Sequence, residues 1–217
     1  MIDRIFATSK RERDRRHGGK DAETCPIIQG IRIRKPEEFH AILMPNCYGP
    51  ELDILKDKGI PDKNIWAIER ERENFNKMKR VLSVRMLNRP MDVSEALDHI
   101  WTLQPKNDLI YLDFYSQPNI LRHFPALCKI FLLGGGMIKP GGKLILTFGR
   151  NRCHPHVRDL NNAMGRLGWR HVPEHWVDLV IEMTGHQGYK GLKIHEYSSF
   201  SHSQGLVLKF YITEMDF

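Results

Sequence analysis

The chain has 217 residues, 41% apolar and 27% charged, the balance of one ordinary globular domain rather than of a disordered or fibrous chain. Its net charge is +7, and no stretch approaches the ~20 uninterrupted apolar residues that span a bilayer, so neither export nor membrane insertion is expected. Cys25, Cys47, Cys128 and Cys153 form no CxxC pair, which fits free thiols in a reducing cytosol and predicts a cytoplasmic protein.

Residues 1–34 form a basic N-terminal arm with nine basic and five acidic side chains, focused in the run from Lys10 to Lys20. A polyanion such as nucleic acid would gain from counterion release there, and a solvated surface arm is the plainer alternative. Residues 35–217 alternate short apolar runs with amphipathic stretches, the pattern of a parallel sheet covered by helices on both faces. His40 to Met44 is the first predicted strand, and Pro50 to Lys58 the first helix, with Pro50 in its first turn and Gly59 just past its end. Asn64 to Glu69 reads as a strand, Glu73 to Leu82 as a helix, and Ser83 to Leu87 as a weaker strand. Apolar residues at 93, 96, 97, 100 and 103 predict a helix from Val93 to Leu103. Leu109 to Leu112 is an unbroken apolar strand suited to a central position, ending at Asp113.

A helix from Asn119 to Phe131 would pack Ile120, Leu121, Phe124, Leu127, Cys128 and Phe131. Lys139-Pro140-Gly141-Gly142 then reads as a turn before a fifth strand, Lys143 to Phe148, and His156 to Leu167 as another helix. Lys193 to Phe200 and Leu206 to Thr213 pair as a closing hairpin. The expected architecture is a three-layer α/β domain, Rossmann-like, with a mostly parallel sheet and a C-terminal antiparallel hairpin.

In such a sheet ligands bind beyond the carboxyl ends of the strands. Those positions hold Pro45-Asn46-Cys47-Tyr48-Gly49 after the first strand, Glu69-Arg70 after the second, Asp92-Val93 after the third and Asp113-Phe114-Tyr115 after the fourth. Glu69 stands 20 residues beyond Gly49, the distance at which an acid accepts the hydroxyls of a ribose. No GxGxxG or GxxxxGK[ST] cradle is present, so an adenosine without phosphates fits better than a dinucleotide or ATP. Each acid has a local alternative: Glu69 and Asp92 are also placed to cap the helices that follow them. Asp113 ends an apolar strand, where an unpartnered carboxylate is costly, which favours a functional or specifically hydrogen-bonded role. Tyr115 is a candidate to stack on substrate or simply to pack. Cys153-His154-Pro155-His156 lacks a second ligand pair at zinc-site distance and reads as a polar loop, so no metal is expected. His195 and His202 read as surface residues of the hairpin.

From about Glu38 onward these residues resemble the class I S-adenosylmethionine-dependent methyltransferases. The resemblance implies S-adenosylmethionine as cofactor, its methionine part against Pro45, Asn46, Cys47, Tyr48 and Gly49, its ribose at Glu69 beside Arg70, and its adenine at Asp92 and Val93. Asp113 and Phe114 would face the methionine, with Asp113 and Tyr115 as the catalytic pair toward the acceptor. Lys139-Pro140-Gly141-Gly142 looks like the family's turn before strand five, and the closing hairpin like its strands six and seven. The gapped first turn, Leu43-Met44-Pro45 followed by Gly49-Pro50-Glu51-Leu52-Asp53, is similar to Gly-poor methyltransferase-like proteins of phages and mobile elements. Asp113 is followed by Phe114 and Tyr115 and not by two prolines, which leaves the acceptor open: nucleic acid first, given the charge, and a small molecule second. The competing class is a non-catalytic binding module that keeps the fold without the cofactor.

Overall fold

A computed structural model describes residues 27–45, 49–114, 120–132, 136–149, 192–199 and 205–212. The elements are β1 (Ala41–Leu43), α1 (Pro50–Asp57), β2 (Ile65–Ala67), α2 (Arg72–Val81), β3 (Arg85–Met86), α3 (Val93–Leu103), β4 (Asn107–Phe114), α4 (Ile120–Leu132), β5 (Ile138–Gly149), β6 (Leu192–Ser199) and β7 (Gly205–Ile212). The predicted helix at His156 to Leu167 lies outside the described residues. The strands form a seven-stranded sheet in the order β3-β2-β1-β4-β5-β7-β6. β1 to β5 are mutually parallel, β7 is antiparallel to both β5 and β6, and so β7 alone runs against the rest. This is the expected mostly parallel sheet closed by an antiparallel hairpin, with the hairpin's second strand docked inside its first.

Because successive strand residues point to opposite faces, each central strand feeds two cores. Ile42, Ile110, Leu112 and Phe114 join Val93, Leu97 and Ile100 of α3 and Leu127, Ile130 and Phe131 of α4 on one face. Ala41, Leu43, Leu109 and Tyr111 join Leu52 and Leu55 of α1 and Met78 of α2 on the other. Leu109 to Leu112 are wholly buried, as a strand covered on both faces requires.

Four details differ from the sequence reading. First, the charge changes near residue 34 but the packing does not: Ile28 and Ile31 are buried in the α1/α2 core, and Lys58 Nζ donates to the carbonyls of Gln29 and Ile31 at 2.7 and 3.0 Å. The described end of the arm thus packs onto the α/β body. Second, Lys139 to Gly142 does not precede the fifth strand but interrupts it. Asn107 pairs with Ile138 and Leu109 with Lys143, so two residues of β4 face five of β5 and the excess loops out. Gly141 has φ +74°, and a Cβ on Gly142 would lie 2.6 Å from Ile138 Cγ2, which explains the double glycine. Third, on α4 Leu127 and Phe131 are buried as expected, but Cys128 is only half-buried, and His123, Ala126 and Ile130 join the buried residues. Finally, the third strand shortens to Arg85–Met86.

Candidate cofactor and substrate site

Three backbone hydrogen bonds stitch the carboxyl ends of the strands into one rim. Met44 N–H donates to the Tyr111 carbonyl, Ile68 N–H to that of Leu43, both at 2.9 Å, and Met91 N–H to that of Glu69 at 3.1 Å. The segments after β4, β1, β2 and β3 therefore sit side by side. Pro45 and Gly49 are buried at this rim, and Gly49 is the N-cap of α1. Asn46, Cys47, Tyr48 and Tyr115 lie outside the described residues.

Glu69 is half-buried in the turn that enters α2. Its Oε1 accepts from the Glu71 N–H at 2.7 Å, and Glu71 is the helix N-cap. Burial pushes its carboxyl up from the ordinary range, against the lowering by hydrogen bonds from the Glu71 and Arg70 N–H groups. Asp92 is the N-cap of α3, its Oδ1 accepting from Ser94 N–H at 3.2 Å. Asp92 thus caps its helix, whereas Glu69 holds the turn that enters α2 without capping it. A carboxylate offers about four lone-pair sites, so one backbone contact leaves capacity for a ligand hydroxyl or amine. Beside them Ile68, Met91 and Val93 are each at most 5% exposed and give an apolar wall. Acceptor carboxylates beside these apolar residues offer partners for hydroxyls and an amine.

Strand parity separates Asp113 from Phe114. Phe114 points to the α3/α4 face and is buried, its ring centroid 4.3 Å from that of His123. Asp113 points to the α1/α2 face, is half-buried, and stands opposite Thr147 of β5 in the register. Phe114 is thus a core residue that supports the rim, whereas Asp113 is presented at it. With β1 between β2 and β4, Asp113 stands on a strand two positions from the one that leads to Glu69, about 10 Å away at ordinary strand spacing.

His123 did not emerge from the sequence. It is 1% exposed beneath the rim, and burial, with a smaller contribution from the Arg70 charge, lowers its pKa to about 4. The imidazole is therefore neutral at physiological pH. Arg70, exposed and paired with Glu71 at 3.0 Å, consequently belongs to the electrostatics of this rim. The one available signal was position: His123 lies four residues before Leu127, on the helix face that packs.

No protein-family model matches the chain, and no curated protein matches it in sequence. In structure it is similar to a Listeria monocytogenes protein assigned to the S-adenosylmethionine-dependent methyltransferases, with TM-score 0.55 and 11% identity over 91% of this chain and 99% of that one. It is also similar to the fibrillarin pre-rRNA processing protein of Methanococcus jannaschii, with TM-score 0.51 and 13% identity over 90% and 76% of the two chains. A Clostridium thermocellum protein assigned as an rRNA methylase matches at TM-score 0.51 and 9% identity over 88% and 95%. The strand order and these likenesses define the fold as that of the class I S-adenosylmethionine-dependent methyltransferases.

Proposed function

We propose that this chain is an S-adenosylmethionine-dependent methyltransferase whose acceptor is a nucleic acid. The observation that carries the reading is the meeting of Glu69, Asp92 and Asp113 at one carboxyl rim of a sheet with this strand order. The cofactor, when bound, supplies an already activated methyl group, so the protein's contribution is alignment and exclusion of water. In this reading Glu69 accepts from the ribose hydroxyls with Arg70 alongside, Asp92 and Val93 hold the adenine, and the loop from Pro45 through Asn46, Cys47 and Tyr48 to Gly49 takes the methionine part. Asp113 hydrogen-bonds the methionine or acceptor amino group, and Tyr115 stacks on an acceptor base. Phe114 acts from below, through its packing on His123.

The net charge of +7 and the basic arm support a polyanionic acceptor over a small molecule. A cytoplasmic setting goes with this reading; among the described residues no helix is long and apolar enough to cross a membrane. The competing reading is a binding module without cofactor, favoured by the backbone hydrogen bonds that already engage Glu69 and Asp92. Incubation with methyl-labelled S-adenosylmethionine and separate pools of RNA, DNA and small-molecule acceptors decides between them. Label in RNA or DNA is expected. Label in small molecules alone would overturn the acceptor class, and no label in any pool would favour the binding module.

A further inference from the structure

The opposite rim of the sheet carries a second set of groups that the transfer site does not use. Two adjoining cavities of about 580 and 550 Å³ open along the amino-terminal ends of the strands and share Lys139. The first is lined by Lys63, Arg85, Lys106 and Lys139, with His40, and by no carboxylate among the described residues. The second adds Arg32, Arg34, Lys35 and Lys143 against Glu38 and Asp108. Eight cations face two carboxylates, a local balance of +6 where the whole chain sums to +7. Both acids are already engaged, Glu38 with Lys35 and Asp108 with Lys139, each at 2.7 Å.

We infer that this amino-terminal rim is a docking track for the phosphate backbone of a nucleic acid, on the side of the sheet remote from the transfer site. The inference rests on the nucleic-acid reading of the acceptor and extends it to where the polymer is gripped.

The fold explains why the cations line up. Lys63 stands just before β2, Arg85 opens β3, Lys106 immediately precedes β4 and Lys139 lies at the start of β5, so four of the five parallel strands deliver a cation to the same edge, and His40 precedes the fifth, β1. Neighbouring strands are about 4.8 Å apart, so the edge from β3 to β5 spans about 19 Å, the length of roughly five or six nucleotides of one duplex strand. Arg85 is held in place, its guanidinium 3.9 Å from the ring centroid of the buried Trp66. Burial holds the Lys106 ammonium below its ordinary value, and burial together with the Lys58 charge does the same for Lys143. A phosphate would relieve both.

A second feature of the first cavity is not about charge. Gln104 lines it at 4% exposure; its Nε2 donates to Asn107 Oδ1 at 2.6 Å, and its Oε1 has no partner among the described residues. A buried acceptor without a donor is costly, and a sugar hydroxyl or base amine entering from the cavity would satisfy it. Cations along an edge with an acceptor beneath them match a nucleotide polymer better than an inorganic anion.

The test measures anisotropy of a short fluorescent RNA and a short fluorescent duplex DNA with the full chain, between about 0.05 and 0.2 M salt. The variant Arg32→Gln/Arg34→Gln/Lys63→Gln/Arg85→Gln is expected to lose at least about tenfold in affinity, with a salt slope shallower by about 0.7 to 0.9 per lost contact. Arg85 supports Trp66, so Arg34→Gln/Lys63→Gln, two exposed positions, gives a smaller loss with the fold untouched. A control pair on the exposed face of α2, Arg72→Gln/Arg80→Gln, removes equal charge away from the rim and is expected to leave binding nearly unchanged. Parental affinity and slope in the rim variants, an equal loss in the control pair, or no binding of either probe by the parent would each overturn the inference. Calorimetry with S-adenosylmethionine on the same proteins reads the transfer site separately: rim variants that bind cofactor like the parent while losing oligonucleotide support the track. Absent cofactor binding alongside the expected rim effect would sink the methyltransferase reading and leave the track standing.

Discussion

Among the described residues, the two ends of one sheet carry different groups. Its carboxyl rim gathers Glu69, Asp92 and Asp113 over an apolar wall and buries His123 as a neutral ring, whereas its amino rim gathers Lys63, Arg85, Lys106 and Lys139. Both patterns arise from strand polarity: parallel strands bring all their starts to one edge and all their ends to the other, so residues far apart in sequence become neighbours with a shared charge. The difference suggests a division of labour, with acceptors for hydroxyls and amines at one edge and attraction for polyanions at the other.

The largest expected effect that would sharpen the contrast concerns His123. Its folded pKa is about 4, below the ordinary 6.5, so the unfolded chain takes up a proton first as pH falls. Its contribution is therefore fully present above about pH 6.5 and is lost between there and about pH 4, with a span of about 3 kcal/mol. Urea melts of parent and His123→Leu across that window should show a steeper acid loss in the parent. Parallel curves would mean that the histidine is not held neutral.

Next in size, Asp113→Asn keeps the volume and one carbonyl acceptor while removing the charge. Methyl transfer should fall by on the order of 10² with thermal stability nearly retained. An unfolded variant, or one that turns over like the parent, would make Asp113 a structural residue. Glu69→Ala should raise the dissociation constant for S-adenosylmethionine about tenfold or more, the scale of lost hydrogen bonds to a charged group. An unchanged constant with a less stable α2 would assign Glu69 to its turn alone. The smallest effect is at Asp92, where removal of the cap hydrogen bond to Ser94 should cost about 1 kcal/mol in denaturant unfolding. Loss of cofactor affinity in excess of that would add a ligand role to the cap.

The regular elements were legible because their signals are local. The 3.6-residue period and the N-cap Asp92 define α3 from Val93 to Leu103 as expected, and the unbroken apolar run placed β4 at the centre. Predicted α4 had nearly the right extent and buries Leu127 and Phe131 as expected, but an apolar count passes over His123, which is buried against Phe114. The glycine pair at 141 and 142 announced a bend, yet only the pairing of β5 with β4 turns that bend into a bulge within a strand. The carboxyl-rim acids could be found because the fold class says where to look. The amino rim was hidden: its cations lie about twenty to thirty residues apart and look like ordinary surface charge until the strand starts align.

Whether the carboxyl rim takes S-adenosylmethionine, as proposed, is read by titration calorimetry of the folded full chain. A saturable heat is expected, with a dissociation constant in the micromolar range that Glu69→Ala weakens about tenfold. A folded parent that gives no heat at high micromolar cofactor would contradict it and leave a methyltransferase fold used for binding alone.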